Sequence, residues 1–393
     1  MAVNKIDNTA LSGIAKLDNT AKGNIEKIDN STVAAAGRSR VAIAVGESAH
    51  IMYCTADDLT VADNWTLLDL GSGGYDDIAW GYDSSGKEVW ILIRDNAANP
   101  MYIAVQDANP AWVPSGSDNW VVTRPDGGRE LDGVGHRVSF GSTGSNDLAT
   151  WTMTSVGYSE YAYYVTGTIT DSSAWCVQWK GFDAVGTGRS GRPAPIWNRN
   201  PAASMFVMAM NNPGAVFSSV EGTGSEDNGD WDLEYSPGGS GANNKGNGGY
   251  GNNVWVIAGQ QSKENHVTGS GTQGSMTWGL LNAPAANRPM LGVATDMAGK
   301  WVMCGNSGYV WVSTDDAETW TETRLTSSAD GVYKDMKDVA YDNDGTWLIV
   351  GQRDFWVSSD LTLTNAGFVA FDPEPTADIK YNAIAFNVEN SSQ

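Results

Sequence analysis

Two stretches near the end of the chain share one pattern: "LGVATDMAGKWVMCGNSGYVWVSTDDAETW" (residues 291–320) and "KDVAYDNDGTWLIVGQRDFWVSSDLTLT" (residues 337–364). Each begins with a short apolar run and an Asp/Gly turn, and continues with a second run opened by Trp301 or Trp347. A turn that carries Gly305 or Gly351 follows, and a third run ends in Val-Ser-x-Asp. Because the two tryptophans are 46 residues apart, the pattern predicts a repeated unit of that length built from short strands.

A unit of this length, with alternating apolar positions and turns rich in Gly, Asp or Asn, is typical of a four-stranded propeller blade. The first residues of the predicted second strands are Val41, Val89, Arg137, Met205, Val254, Trp301 and Trp347. They are separated by 48, 48, 68, 49, 47 and 46 residues. The sequence therefore predicts an all-β fold, a seven-bladed β-propeller with about 20 inserted residues between 145 and 203; six or eight blades remain open.

The two ends of this region predict how the ring closes. "RVAIAVGESAHIMYCTADD" (residues 40–58) matches second and third strands, yet nothing before Arg40 resembles a first strand. "IKYNAIAFNVEN" (residues 379–390) matches a first strand and has no second strand after it. We therefore expect the C-terminal strand to pair with the strand that begins at residue 41, which would protect both sheet edges.

Composition narrows the functional classes. The formal charge of −22 makes nucleic acid an unfavourable partner, because a phosphate backbone would be repelled. The chain shows neither the basic start and apolar core of a signal peptide nor an apolar run long enough for membrane insertion. The three cysteines lack metal-site spacing, so we predict no metal and no cofactor.

One motif resembles a known structural element. "STDDAETW" (residues 313–320) is similar to the Asp-box of sialidase-like propellers, S-x-D-x-G-x-T-W, with Ala317 in the place of glycine. Its residues Ser313, Asp315, Thr319 and Trp320 are predicted to stabilise a turn, with Asp315 accepting backbone N–H groups and Trp320 packing between sheets. The sialidase activity that this resemblance would imply requires an Arg-Ile-Pro phrase, which does not occur. No catalytic residue is therefore predicted.

The 17 tryptophans divide into two groups. Most open second strands or close hairpins and are predicted to pack between blades. Five others lie in the irregular stretch or beside loops and are predicted to form a ligand platform for sugars or protein partners: Trp112, Trp120, Trp175, Trp179 and Trp197.

The N-terminal segment carries a repeat of its own. "KIDNTALSGIAKLDNTAKGNIEKIDN" (residues 5–30) contains three copies with a period of 11 residues. This period suits a right-handed helical supercoil, whereas Asp-Asn-Thr and the glycines favour a strand–turn repeat, and both remain open. We predict an attachment arm over 1–37, a propeller domain over 38–393, and a homo-oligomer that orders the arm. The predicted docking residues are Ile6, Asn8, Leu17, Asn19, Ile28 and Asn30.

These repeats resemble the N-terminal repeats of virion proteins from tailed bacteriophages, particularly marine phages of cyanobacteria. The resemblance implies a non-enzymatic structural or adhesive virion protein, assembled in the host cytoplasm. Its arm would dock to other virion proteins, and its propeller would meet host-surface glycans or proteins, as tail fibre, baseplate component or capsid decoration. The propeller half also resembles sialidase-like and photosystem-assembly propellers. Two alternatives stay open: a propeller enzyme or lectin acting on glycans, and an intracellular assembly factor that scaffolds protein partners.

Overall fold

The computed structural model describes residues 40–48, 50–71, 73–94, 101–107, 112–123, 134–143, 148–156, 162–165, 168–171, 174–179, 194–198, 205–209, 216–219, 232–235, 245–259, 267–281, 288–359, 367–374 and 379–387. For most strand residues between 134 and 198 only the backbone is described. The chain divides into two units, Met1–Arg38 and Ser39–Gln393, and every described residue belongs to the second. The docking-arm residues and the predicted boundary after residue 37 lie outside the described residues.

The described part of the chain forms seven four-stranded antiparallel sheets, numbered here in chain order. Sheet 1 contains β1 (Ala42–Gly46), β2 (His50–Cys54), β3 (Trp65–Asp69) and the last strand, β28 (Tyr381–Phe386). Sheet 2 contains β4 (Tyr75–Tyr82), β5 (Glu88–Arg94), β6 (Met101–Val105) and β7 (Trp120–Thr123). Sheet 3 contains β8 (Val134–Thr143), β9 (Leu148–Val156), β10 (Ala162–Val165) and β11 (Cys176–Trp179).

The other four sheets follow the same order along the chain. Sheet 4 contains β12 (Ala194–Asn198), β13 (Met205–Ala209), β14 (Val216–Ser219) and β15 (Asp232–Tyr235). Sheet 5 contains β16 (Lys245–Gly251), β17 (Val254–Gly259), β18 (Val267–Ser270) and β19 (Thr277–Leu280). Sheet 6 contains β20 (Met290–Thr295), β21 (Trp301–Gly305), β22 (Tyr309–Ser313) and β23 (Thr321–Arg324). Sheet 7 contains β24 (Met336–Tyr341), β25 (Trp347–Gly351), β26 (Phe355–Ser358) and β27 (Val369–Phe371).

Short 3-10 turns occur at Ala62–Asn64, Ser117–Asn119 and Asn306–Gly308. The prediction of an all-β protein is confirmed for the described residues. The second strands of most sheets are its most buried elements; in β5, β21 and β25 every residue is buried. Such strands read as continuous apolar runs because other elements cover both of their faces.

Strands are counted here in the order in which they pair within a sheet, so β28 is the first strand of sheet 1. The first strand of each sheet lies beside the first strand of the next. These contacts join β4 to β8, β8 to β12, β12 to β16, β16 to β20 and β20 to β24. The first position in sheet 1 is taken by β28, which contacts both β24 and β4. The last strand also pairs antiparallel with β1, with Ala42 opposite Phe386.

Two buried carboxylates hold neighbouring first strands together. A first strand is an edge of its own sheet, so alternate N–H groups have no ladder partner there, and buried N–H groups need one. Asp77 Oδ2 accepts the N–H of Val138 in the next sheet at 2.8 Å. Asp338 Oδ2 accepts the N–H of Ile384 at 3.1 Å. Both aspartates directly follow a shift of strand register, a β-bulge, which redirects their side chains.

Most predicted second strands are correct, and one is wrong. Val89, Met205, Val254, Trp301 and Trp347 lie in β5, β13, β17, β21 and β25, and Val41 directly precedes β1. Arg137, however, lies in β8, the first strand of sheet 3. The segment "HRVSFG" ends in glycine as β17, β21 and β25 do. The true second strand, "LATWTMTSV", alternates polar and apolar residues.

The predicted insertion between 145 and 203 is therefore also wrong as an insertion. This region contains β9, β10 and β11 of sheet 3 and β12 of sheet 4. With β9 beginning at Leu148, the intervals from Val89 to Leu148 and from Leu148 to Met205 are 59 and 57 residues, so the extra length is divided between two intervals. The misplaced second strand had concentrated all of it into one interval.

We expect Asp338→Ala to lower the free energy of unfolding by about 2–3 kcal/mol, because it leaves the buried Ile384 N–H without its acceptor. Urea denaturation followed by tryptophan fluorescence measures the change. The matched control is Asp344→Ala, at an exposed position of the same sheet, which should change the value by less than about 0.5 kcal/mol. Equal effects of the two substitutions would contradict the role of Asp338.

Candidate functional site

The Asp315 turn joins β22 to β23 through bonds to its carboxylate. Asp315 Oδ1 accepts the Thr319 N–H at 2.9 Å and the Ser313 hydroxyl at 2.8 Å, and Oδ2 accepts the Thr319 hydroxyl at 2.5 Å. The bonds from Thr319, with a smaller contribution from Ser313, lower the pKa of Asp315. Ala317 has φ 66°, a left-handed conformation that explains why glycine is usual at this position of the resembled motif.

Trp320 ends the same turn and is buried. Its indole N–H donates to the Ala317 carbonyl at 3.1 Å. The ring packs in a cluster that contains Trp301 and Trp311 of sheet 6 and Val256 of sheet 5. The four predicted residues of this motif therefore meet in one turn, where Ser313, Asp315 and Thr319 bond to one another.

The predicted ligand platform is wrong for three of its five residues. Trp112, Trp120 and Trp175 have exposures of 7%, 7% and 1%, so other side chains cover the flat faces that a platform needs. The indole N–H of Trp120 donates to the Pro114 carbonyl at 3.1 Å, and that of Trp175 to the Ile169 carbonyl at 2.9 Å. Trp179 and Trp197 lie in β11 and β12, and their side chains are outside the described residues.

Two of these tryptophans, Trp120 and Trp175, share a hydrogen-bond pattern that was not predicted from the sequence. Trp65 donates its indole N–H to the Leu59 carbonyl at 3.0 Å, and so repeats the six-residue spacing found at Trp120 and Trp175. Each closes the connection between the third and fourth strands of sheets 1, 2 and 3. The signal was the phrase "ADNW" (residues 62–65) and its copy "SDNW" (residues 117–120), whose period of 55 residues differs from the 46 residues of the strand pattern.

A second unpredicted cluster lies at one end of sheet 6, where β21 and β23 end and β22 begins. Four side chains form what we call the arginine–tyrosine stack: Tyr333, Arg324, Tyr309 and Arg288. The Arg324 guanidinium lies 3.5 Å from the ring centre of Tyr333 and 4.5 Å from that of Tyr309. Arg288 lies on Tyr309 at 4.2 Å. Stacking between guanidinium groups and aromatic rings is favourable and fixes the planes of both.

Backbone geometry holds Arg324 in this position. Tyr309 and Arg324 are direct partners in the β22–β23 ladder. Arg324 Nε and Nη2 donate to the Ser307 carbonyl at 3.1 and 2.9 Å. Ser307 itself has φ 56° and donates its N–H to Asp335 Oδ1 at 2.9 Å. The guanidinium is therefore held in one orientation by groups of its own chain.

The connection from β23 to β24 places apolar surface beside this arginine. Val332 and Tyr333 are 53% and 43% exposed. The Ser327 N–H donates to the Val332 carbonyl at 2.8 Å, and the Val332 N–H to Asp330 Oδ1 at 3.0 Å. A hydrogen bond from Lys334 lowers the pKa of Asp330. Within the part of the chain that the structure describes, no carboxylate forms an ion pair with Arg324.

Few side chains in the described ranges are suited to metal binding or to thiol chemistry. They contain no group of three or more His, Cys, Asp or Glu side chains that could hold a metal ion. Burial raises the pKa of the Cys54 and Cys304 thiols, so both stay protonated. None of the helices in the described ranges has the length and apolar character to span a bilayer.

No protein-family model matches the chain, and none of the curated proteins does. Solved structures do match this chain. YCF48 from Cyanidioschyzon merolae aligns over 86% of this chain and 91% of its own, with 11% identity and a TM-score of 0.50. A structure of YCF48 bound to D1 peptide covers 88% of both chains, with 12% identity and a TM-score of 0.50. This chain has a β-propeller-like all-β fold.

The WD40 beta propeller domain of Doa1 is also similar, at 10% identity, 88% and 98% coverage and a TM-score of 0.48. At such low identities the likeness to the propeller-like fold carries no activity with it. These structures lend no support to the phage interpretation. That interpretation depends on residues 3–33, which lie outside the described residues, and it stays a prediction.

We expect Thr319→Val to raise the pKa of Asp315, because it removes the hydroxyl that bonds to Oδ2. A lowered folded-state pKa stabilises the fold above the unfolded-state pKa of about 4, and this contribution is lost as the pH falls through the folded-state value. Carboxyl carbon NMR between pH 2 and 6 measures the shift. The control is Thr314→Val in the same turn; an unchanged Asp315 pKa in Thr319→Val would refute the assignment.

Proposed function

We propose that the seven sheets are the blades of one closed ring. Its support is the chain of contacts between successive first strands, which β28 completes by lying between β24 and β4. The pairing of β28 with β1 then joins the two ends of the ring through main-chain hydrogen bonds. A closed ring is a rigid frame, and such frames commonly hold binding surfaces in fixed positions.

Deletion of residues 379–393 should lower the melting temperature by more than about 10 °C, because it removes a complete strand together with its contacts to three sheets. Differential scanning calorimetry measures the loss. The matched control is deletion of residues 388–393 alone, which leaves β28 and Asn387 in place and should leave the melting temperature within about 2 °C. Unchanged melting after the longer deletion would sink the closed-ring proposal.

We further propose that the protein is a non-catalytic scaffold that binds a protein partner through the arginine–tyrosine stack. The observation that carries this proposal is Arg324, oriented between two tyrosine rings beside exposed Val332 and Tyr333. Tyrosine and arginine are the residue types that dominate binding energy in protein interfaces. Orientation before binding lowers the entropy that association costs.

The partner's chemistry follows from what the stack leaves unsatisfied. Arg324 uses two of its nitrogens on the Ser307 carbonyl and has hydrogens left for a carboxylate. Exposed Val332 offers an apolar contact at the same place. The net charge of −22 disfavours a strongly acidic partner at long range. We therefore propose a neutral or basic partner that presents one Asp or Glu next to an apolar residue.

A scaffold that binds a protein partner is the general form of the assembly-factor alternative. Virion attachment is a separate hypothesis, since it concerns the repeats of residues 1–37. A glycan-active enzyme or lectin is a third. No described cluster favours either of these two over a protein-binding scaffold.

A displayed library of random peptides, selected on the folded protein, tests the proposal. Enriched peptides should share an acidic residue next to an apolar one. Arg324→Gln should weaken their binding at least about 10-fold, and Tyr333→Ser by a similar factor, since both remove centrally placed contacts.

The matched control is Arg353→Gln in sheet 7. Arg353 pairs with Asp372 at 2.7 Å and is not part of the stack, so its replacement should leave affinity unchanged. Circular dichroism confirms that each variant is folded. Peptides without a shared acidic residue, or equal affinity for the Arg324→Gln variant, would overturn the proposal.

A further inference from the structure

Arg94 is a buried arginine that lacks a counter-charge. It ends β5 and is 6% exposed. Nη1 donates to the Tyr102 hydroxyl at 2.9 Å, whereas the buried Nε has no hydrogen-bond partner. No carboxylate in the described ranges forms an ion pair with it. A guanidinium in such a position is costly unless something else neutralises it.

Two buried tyrosines, Tyr75 and Tyr102, lie next to Arg94. Tyr75 is the direct ladder partner of Arg94 and is completely buried, and its hydroxyl has no partner. Its ring lies 5.9 Å from that of Tyr102. Burial raises the pKa of Tyr75, so the hydroxyl keeps its proton. The Tyr102 hydroxyl accepts a hydrogen from Nη1, so it holds that side of the guanidinium and leaves Nε and Nη2 for an incoming acceptor.

The Nε–Nη2 edge of the guanidinium is covered by a glycine. A Cβ placed on Gly73 would lie 2.2 Å from Arg94 Nη2 and 2.3 Å from Nε. These two nitrogens form the edge that binds carboxylates with two parallel hydrogen bonds. Gly73 lies between β3 and β4 and has φ 131°, a conformation in which glycine moves at little cost. Asp69 nearby accepts the Gly71 N–H at 2.7 Å and is not paired with Arg94.

We propose that Arg94 binds a single carboxylate group, which reaches Nε and Nη2 when the backbone at Gly73 shifts outward, while the Tyr102 hydroxyl holds Nη1. A planar acceptor with two oxygens and one negative charge matches one guanidinium flanked by neutral hydroxyls. Phosphate matches less well, because it carries more charge than the site neutralises. The site belongs to sheet 2 and does not depend on the stack in sheet 6.

Sodium formate, the smallest carboxylate, is the probe. Against sodium chloride of equal ionic strength, it should raise the melting temperature saturably, by about 2 °C at a concentration roughly ten times the dissociation constant. The NMR signal of the Arg94 Nε–H should shift over the same concentrations. Arg94→Lys should lose the thermal response, since lysine has no two-nitrogen edge.

Two glycine variants keep the test decisive if Arg94→Lys fails to fold. Gly73→Ala places a methyl group against Nε and Nη2 and should abolish the formate response. Gly71→Ala is the matched control, because Gly71 also has positive φ, 95°, but a Cβ there meets nothing within 4 Å. It should retain the response. A formate response that persists in Gly73→Ala or Arg94→Lys would overturn the proposal, as would a response to inorganic phosphate without one to formate.

The carboxylate could belong to a small free acid or to the end of a peptide chain. Triglycine and triglycine amide separate these sources. Tighter binding of triglycine than of formate, with no binding of the amide, assigns the site to a chain terminus. Binding of formate without binding of triglycine assigns it to a small free acid. No saturable effect of formate or of triglycine would refute the site.

Discussion

The edge position of seven first strands is the constraint on which the rest of this structure depends. Each first strand pairs with its own sheet on one side only, so the N–H and C=O groups on the other side need partners from a neighbouring sheet. Asp77 and Asp338 supply acceptors for Val138 and Ile384. The Asn382 side chain donates to the Tyr75 carbonyl at 2.8 Å. These bonds join neighbouring sheets through groups that their own ladders leave unused.

Close approach of backbones at the ends of second strands positions the residues of the proposed binding sites. The N–H of Asn306 donates to the Pro289 carbonyl at 3.1 Å, and that of Gln352 to the Asp335 carbonyl at 2.8 Å. The residue before each donor is a glycine, since a Cβ on Gly305 or Gly351 would lie 1.9 or 2.3 Å from the same carbonyl oxygen. The stack is built at this end of sheet 6, and Arg94 occupies the equivalent end of sheet 2. Their side chains therefore start from backbone positions at or next to these close contacts.

Periodicity in the sequence was enough to predict strands wherever burial is uniform. Second strands such as β21 and β25 are apolar throughout because both faces are covered, and Trp301 and Trp347 mark their starts. Prediction failed at β9, whose alternating polar residues hide it, and Arg137 was placed in the wrong strand as a result. It failed again for Trp112, Trp120 and Trp175, because proximity to a loop says nothing about what covers an indole ring.

Sequence alone determined the strand class, the unit length and the pairing of the two chain ends, since each depends on residues that are local or repeated. Only the tertiary structure brought together Arg288, Tyr309, Arg324 and Tyr333, which lie on different strands and connections of sheet 6. The same holds for Arg94 and Gly73, whose contact depends on how one sheet leads into the next. Both proposed binding sites depend on contacts between distant segments, and no local pattern encodes those contacts.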